Sequence, residues 1–140
     1  MAHARSPDDL TITPRDRRFG RGMRQDRWWM GGDPVATAFY NALSATFPKG
    51  EAFFVESVRQ FRDGAPPKLE GEIKAFVTQE VMHSREHVQF NKRALEAGYD
   101  LGPLEERVEW RLSITRTRPP IVNLAATMCL EDFTAIIAHH

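Results

Sequence analysis

The stretch LEGEIKAFVTQEVMHSREHVQFNKRALEA, residues 69–97, decides the fold because it carries the longest helical pattern in the chain. Apolar residues recur at three- and four-residue intervals near both of its ends, around Phe76 and around Phe90, which is the period of an amphipathic α-helix. Gly98 follows at the position where helices commonly stop. The stretch therefore predicts one long helix with a face turned towards a core.

Helical patterns also lie on both sides of this stretch. Asp33 and Pro34 form an N-cap and a first-turn proline, and Val35 and Phe39 begin the apolar stripe of the helix that follows. We expect that helix to end at Phe47, because the residue before a proline avoids the α conformation. The expected helices cover residues 33–47, 48–61, 69–97, 103–111 and 121–140, with a loop over residues 116–120.

The N-terminal residues 1–32 differ from the rest of the chain. They contain Pro7 and Pro14 and show no helical period, which predicts an extended, irregular arm. Residues 33–140 predict a single helical domain. The fold class expected from these patterns is all-α.

Composition excludes several classes of protein. The 140 residues hold 19 Lys and Arg against 19 Asp and Glu, and this balance argues against binding to nucleic acid or to a membrane surface. We expect no membrane span, because no apolar run approaches roughly 18 residues. The single cysteine, Cys129, rules out an internal disulfide and fits a cytoplasmic location.

Three polar residues interrupt the apolar face of the 69–97 helix. Glu80, His83 and His87 are spaced by three and four residues, so their side chains lie one above the next on the face that should be buried. A buried carboxylate is costly unless it is paired or binds a metal. Glu80 and His83 also form Glu-x-x-His, the spacing with which one helix offers two ligands to a dinuclear centre.

Two further carboxylates show the same anomaly. Glu51 precedes apolar residues at helical spacing, and Glu131 follows the apolar run 125–130. Each residue also has a structural explanation: Glu51 would favour the positive end of its helix, Glu131 would pair with an arginine, and His87 would be a hydrogen-bonded core histidine. Because three separate helices each bring a carboxylate to an apolar face, we expect a buried metal site.

The same helix contains a second metal-binding pattern. Residues 83–87 read His-x-x-Glu-His, the inverted zinc-peptidase motif, in which two histidines bind zinc and the glutamate is the general base. In this interpretation Glu86 would be the general base. The chain is short for such an enzyme, so this is the weaker of the two metal interpretations.

Three blocks of sequence resemble the bacterial family of predicted metal-dependent hydrolases. The resemblance spans about residues 20–140 and rests on RWW at 27–29 with ALSATFPKGEAFF at 42–54 and SVR at 57–59, on FVTQEVMHSREH at 76–87 with FN at 90–91, and on LEDFTA at 130–135. It implies a ferritin-like bundle with a carboxylate and histidine site for two divalent ions, which would be iron, manganese or zinc.

The resemblance also implies roles for particular residues. Ligand roles fall on Glu51, Glu80, His83 and Glu131, while His87 would be a further ligand or would orient one. A ferritin-like site takes Glu-x-x-His from two helices, and this chain supplies it from one, so we expect the domain over 33–140 to lack its last helices. His139 and His140 are poor substitutes, because they follow Glu131 by about 12 Å of helix.

The function expected from these residues is that of a metal-dependent hydrolase acting on a small molecule. Metal-activated water would be the nucleophile, with Glu80 and His83 as the central catalytic residues. The alternatives are a di-iron oxidase or oxygenase of the ferritin-like class and a non-catalytic helical fragment. A homodimer is a further alternative, since two copies would together supply two Glu-x-x-His pairs, although Glu131 would then have no role.

Overall fold

The computed structural model describes Asp9, residues 11–19 and residues 26–139. These parts of the chain form four helices: α1 (Pro34–Arg59), α2 (Pro67–Glu96), α3 (Gly102–Arg116) and α4 (Pro120–His139). No strand occurs among the described residues, so the all-α prediction is confirmed. The ferritin-like arrangement remains a prediction, and His140 lies outside the described residues.

The N-cap of α1 and the end of α2 lie where the sequence predicts them. Asp33 Oδ1 accepts from the backbone N–H groups of Val35 and Ala36 at 2.8 and 3.1 Å, which satisfies two donors at the start of α1. α2 ends at Glu96, and Gly98 follows with φ of +87°, a conformation that glycine adopts without steric cost.

The prediction of a helix end at Phe47 is wrong, because α1 continues through Pro48. A proline inside a helix cannot donate to the carbonyl four residues earlier, which here belongs to Ser44. That carbonyl instead accepts from Asn91 Nδ2 at 3.3 Å, so it stays satisfied. Buried residues on both sides of the proline, Ala45 and Phe53, hold the two halves of α1 in one helix against their neighbours.

The predicted end of α3 near Arg111 is also wrong, because the helix reaches Arg116. Arg116 donates from Nε to Glu56 of α1 at 3.1 Å and from Nη1 to Glu109 of α3 at 3.0 Å. These contacts attach the last turn of α3 to α1. The connection to α4 is therefore shorter than the predicted loop.

α1 is the central helix of the described structure and contacts the other three. Two small apolar clusters lie along it. One contains Ala45, Ala94 and Leu101, and the other contains Phe53, Phe54 and Leu112. The stretch of α1 between them contains the buried Glu51.

The apolar stripe predicted for the start of α1 does not face the core. Val35 and Phe39 are exposed, whereas Thr37 and Asn41 are buried. The residues before α1 cover this polar face, because Trp29 Nε1 donates to Asn41 Oδ1 at 2.9 Å and the backbone N–H of Met30 donates to Thr37 Oγ1 at 3.2 Å. Hydrogen bonding to the preceding segment therefore reverses the orientation that the apolar pattern predicted.

The described part of the N-terminal arm is irregular and lies against α2. The backbone N–H of Arg15 donates to Gln79 Oε1 at 2.8 Å, and that of Phe19 donates to Glu86 Oε2 at 2.9 Å. Asp16 also pairs with Arg85 of α2. Two backbone hydrogen bonds and one ion pair thus attach the arm to α2.

α4 is the least covered helix. By length and composition alone it is apolar enough to cross a membrane, so the expectation that no apolar run approaches roughly 18 residues does not hold for this helix; 11% of its most apolar 18-residue stretch is buried. This is weak evidence for a membrane span, since one such helix also occurs in proteins without one. α4 is attached to α1 through a hydrogen bond of 2.7 Å between the buried hydroxyls of Ser57 and Thr127.

Truncation of Phe53 should measure how much the apolar cluster of Phe53, Phe54 and Leu112 contributes to the free energy of unfolding. Phe53 is 1% exposed, so we expect Phe53→Ala to lower the free energy of unfolding by about 3–4 kcal/mol through lost burial and a residual cavity. Phe39→Ala is the matched control on the same helix, since Phe39 is 53% exposed, and it should cost less than about 1 kcal/mol. Urea unfolding measures the loss for both variants. Equal losses of unfolding free energy would contradict the placement of Phe53 in the core and Phe39 at the surface.

Candidate metal centre

α1 and α2 run antiparallel and bring together one glutamate and two histidines. Ser44 contacts His87, and Glu51, two turns further along α1, contacts His83, one turn earlier on α2. The sequence spacing places His83 and His87 on one face of α2, and the packing of the two helices turns that face towards Glu51. The site therefore forms at the α1–α2 interface.

The polar atoms of this group lie close to one another. His83 Nδ1 is 2.5 Å from Glu51 Oε1, and His83 Nε2 is 3.2 Å from His87 Nε2. One ligand atom from each of Glu51, His83 and His87 can be chosen so that all three lie within 4.8 Å of one another. We call these three residues the Glu51 cluster.

Glu51 is the unusual member of the cluster. It is 1% exposed, yet neither of its carboxylate oxygens accepts a hydrogen bond of standard geometry from the described residues. The short approach of His83 Nδ1 is therefore an ion-pair contact and not a well-directed hydrogen bond. A buried carboxylate in this condition needs positive charge beside it, which either a protonated His83 or a bound metal ion would supply.

The aromatic ring of Phe47 covers the two histidines. It stacks on His87 with ring centroids 4.2 Å apart and meets His83 edge-on at 5.4 Å. Packing of this kind restricts the rotation of the imidazoles, so their nitrogen atoms keep a fixed direction. Phe47 belongs to α1, one turn before Glu51, and it therefore turns the same face towards α2.

Glu80 and Glu131 lie beside the cluster and not within it. Glu80 is 6% exposed on α2, one turn before His83, and Glu131 is half-buried on α4. The charges of both carboxylates interact with those of Glu51 and His83. Carboxylates from α1, α2 and α4 thus meet in one region, while their ligand roles remain predictions.

The pKa values in this region reflect burial and crowded negative charge. Burial, together with the charges of Glu131 and Glu51, raises the pKa of Glu80 to about 7. Burial, followed by the charge of Glu51, also raises the pKa of Glu131. Two of the three carboxylates are therefore hard to ionise in the absence of a cation, as expected of residues that bind one.

The two histidines shift in opposite directions. The contact with Glu51 raises the pKa of His83, against the effect of burial. Burial, with a smaller effect from the charge of His83, lowers the pKa of His87 to about 4. His87 is therefore neutral at physiological pH and has a free nitrogen lone pair, which a metal requires of a histidine.

The position of Glu86 argues against the inverted zinc-peptidase interpretation. Its Oε2 accepts from the backbone N–H of Phe19, and its Oε1 lies 2.9 Å from Arg85 Nε. The carboxylate is thus engaged by the N-terminal arm and by a neighbouring arginine. A general base next to two zinc-binding histidines would instead face the metal.

The residues of the Glu51 cluster fit a divalent metal ion. They supply carboxylate oxygen and imidazole nitrogen, a mixture that suits iron, manganese or zinc. The burial of Glu51 supports the same conclusion: its carboxylate accepts no well-directed hydrogen bond from the described residues, and a bound cation would lower the cost of burying it.

Sequence reasoning missed two polar residues that support this cluster. Ser44 Oγ lies 2.8 Å from His87 Nδ1 and 2.7 Å from Asn91 Oδ1, and both Ser44 and Asn91 are buried. The available signal was spacing: Ser44 precedes Glu51 by seven residues, and Asn91 follows His87 by four, so each shares a helix face with a cluster member.

Comparison with known proteins identifies the family. A model of the family described as predicted metal-dependent hydrolases matches residues 13–140, and the chain therefore belongs to that family. No curated protein matches the chain significantly, and neither does any solved structure.

Replacement of Glu80 should change how stability depends on pH in metal-stripped protein. The folded chain keeps the Glu80 proton above its ordinary pKa of 4.5, so this residue's contribution to stability is full below pH 4.5 and is lost as pH rises through 7. Between those values we expect the unfolding free energy of wild type, minus that of Glu80→Gln, to fall by on the order of 1–2 kcal/mol, allowing for solvent screening.

The control for this measurement is Glu96→Gln, which changes an exposed glutamate on the same helix. Its difference from wild type should stay constant over the same pH range. Urea titrations at a series of pH values measure both variants. A constant difference for Glu80→Gln would show that Glu80 titrates normally.

Proposed function

We propose that this protein is a hydrolase that uses divalent metal ions bound at the Glu51 cluster and at the neighbouring carboxylates of Glu80 and Glu131. The observation that carries the proposal is the convergence of a fully buried carboxylate, which accepts no well-directed hydrogen bond from the described residues, with two histidines at the α1–α2 interface. Membership of the predicted metal-dependent hydrolase family supports the same reaction class.

In this proposal Glu51, His83 and His87 would hold the first ion, and Glu80 and Glu131 would supply carboxylates to a second. Two ions would neutralise the three carboxylates that otherwise repel one another. When bound, such ions lower the pKa of water and stabilise the negative charge that develops in hydrolysis.

The chain also supplies space for a substrate next to Glu51. A cavity of about 660 Å³ opens between α1, α3 and α4, with Glu51 in its wall and apolar side chains such as Phe54 and Leu112 around it. A second cavity of about 550 Å³ on the α2 side is lined by Glu51 and Glu80. The apolar cavity would bind the non-reacting part of a small molecule and keep water away from it.

Loss of a cluster residue should abolish metal binding. We expect His83→Ala and Glu51→Gln to weaken the binding of Zn²⁺ or Mn²⁺ at least about a hundredfold, because each removes a direct ligand. His139→Ala is the control, since His139 is exposed at the end of α4. Isothermal titration and metal analysis measure the effect; equal occupancy in all four proteins would refute the metal site.

The reaction class needs a separate experiment. Metal-loaded wild type should hydrolyse some members of a panel of activated carboxylic and phosphoric esters, and Glu80→Ala should lose at least about tenfold of that rate. Oxygen consumption by the iron-loaded protein is measured in parallel. Oxygen consumption without hydrolysis of any ester would contradict the hydrolase proposal and favour the di-iron oxidase alternative.

A further inference from the structure

Behind His87, on the side away from His83, lies a short chain of hydrogen bonds through the buried residues Ser44 and Asn91. Ser44 Oγ lies between His87 Nδ1, at 2.8 Å, and Asn91 Oδ1, at 2.7 Å. Asn91 Nδ2 in turn lies 3.3 Å from the backbone carbonyl of Ser44. The positions of the protons in this chain determine which nitrogen of the neutral His87 ring is protonated.

The orientation of the Asn91 amide is fixed by the Ser44 carbonyl. A carbonyl oxygen only accepts, so the amide group that faces it must be the NH₂ of Asn91. The amide oxygen then faces Ser44 Oγ and also only accepts. The single hydroxyl proton of Ser44 is therefore donated to Asn91.

This leaves Ser44 Oγ with only lone pairs to offer His87. A contact of 2.8 Å between Oγ and Nδ1 is a hydrogen bond only if Nδ1 carries the proton. The neutral imidazole of His87 is then the Nδ1–H tautomer, and Nε2 has the free lone pair. That lone pair points towards His83 and the Glu51 cluster, where His83 Nε2 lies 3.2 Å away.

Pro48 makes the Ser44 carbonyl available for this arrangement. In an uninterrupted helix that carbonyl would accept from the N–H of residue 48, but proline has no N–H. The carbonyl instead accepts from Asn91 of the neighbouring helix. The proline inside α1 is therefore connected to the histidine through two side chains.

We infer that Pro48, Ser44 and Asn91 are positioning residues that hold His87 as the Nδ1–H tautomer, with Nε2 directed at the metal. The inference rests on the proposed function, because it assigns these residues a role towards the bound ion. Mutation of a residue that hydrogen-bonds to a metal ligand and orients it commonly weakens metal affinity 10- to 100-fold. The low pKa of His87 is consistent with a neutral ring.

The tautomer is tested first in metal-stripped wild-type protein. Two-bond ¹H–¹⁵N correlation spectra of the His87 ring at pH 7.5 distinguish a protonated from an unprotonated nitrogen. We expect a protonated Nδ1 and an unprotonated Nε2. A protonated Nε2 with an unprotonated Nδ1 would overturn the inference.

Metal affinity is tested next with a matched pair of serine variants. Ser44→Ala should bind Zn²⁺ about 10- to 100-fold more weakly than wild type and should populate the Nε2–H tautomer. Ser57→Ala removes another buried, hydrogen-bonded serine from the same helix and should keep both wild-type affinity and wild-type tautomer. Equal affinity in Ser44→Ala and wild type would overturn the inference.

A proline variant separates positioning from stability, and it decides the matter if Ser44→Ala fails to fold. Pro48→Ala restores a helical N–H that competes with Asn91 for the Ser44 carbonyl, so we expect a higher Tm together with weaker Zn²⁺ binding. If Pro48 had only a structural role, the Tm and the Zn²⁺ affinity of Pro48→Ala would change in the same direction. Unchanged affinity and tautomer in Pro48→Ala would overturn the role of the proline.

The failure of this inference is distinguishable from failure of the proposed function. Wild type that shows the Nδ1–H tautomer but binds no Zn²⁺ would overturn the metal site and leave the hydrogen-bond chain intact. Wild type that binds Zn²⁺ with an unprotonated Nδ1 on His87 would overturn this inference alone.

Discussion

The burial of the Glu51 carboxylate is the constraint on which the site depends. Glu51 lies on α1 between two apolar clusters, and it is almost completely covered without receiving a well-directed hydrogen bond from the described residues. Removing a carboxylate from water costs several kcal/mol unless positive charge compensates for it. The close approach of His83 and the neighbouring His87 supplies the groups through which a cation would be held.

Hydrogen bonding, as much as apolar packing, fixes α1 against its neighbours. The buried residues of the described chain include nine polar and seven apolar side chains, so the core is not a simple apolar interior. Ser44 connects α1 to α2, and Ser57 connects it to Thr127 of α4. Hydrogen bonds have strict geometry, and the bond between Ser44 and His87 therefore fixes the direction of that imidazole as well as its distance from α1.

The helical pattern was a reliable guide where it agreed with local chemistry and failed where tertiary contacts opposed it. The Asp33 cap and the Gly98 stop were predicted correctly, because each depends on residues adjacent in sequence. The break at Pro48 was predicted wrongly, since Asn91, 47 residues from Ser44, satisfies the carbonyl that proline leaves free. The apolar stripe at Val35 and Phe39 failed for a similar reason, because Trp29 and Met30 cover the opposite face.

The sequence by itself determined the helical class and the candidate residues Glu51, Glu80, His83, His87 and Glu131. It did so because charged and imidazole side chains on an otherwise apolar helix face are an anomaly that spacing reveals. Only the tertiary structure decided that Glu51, His83 and His87 lie together as the Glu51 cluster. It also decided that Ser44 and Asn91 are linked to His87 by hydrogen bonds. The physical reason is that distances between helices, and the direction of each proton, depend on how two faces pack together, which periodicity along one helix does not contain.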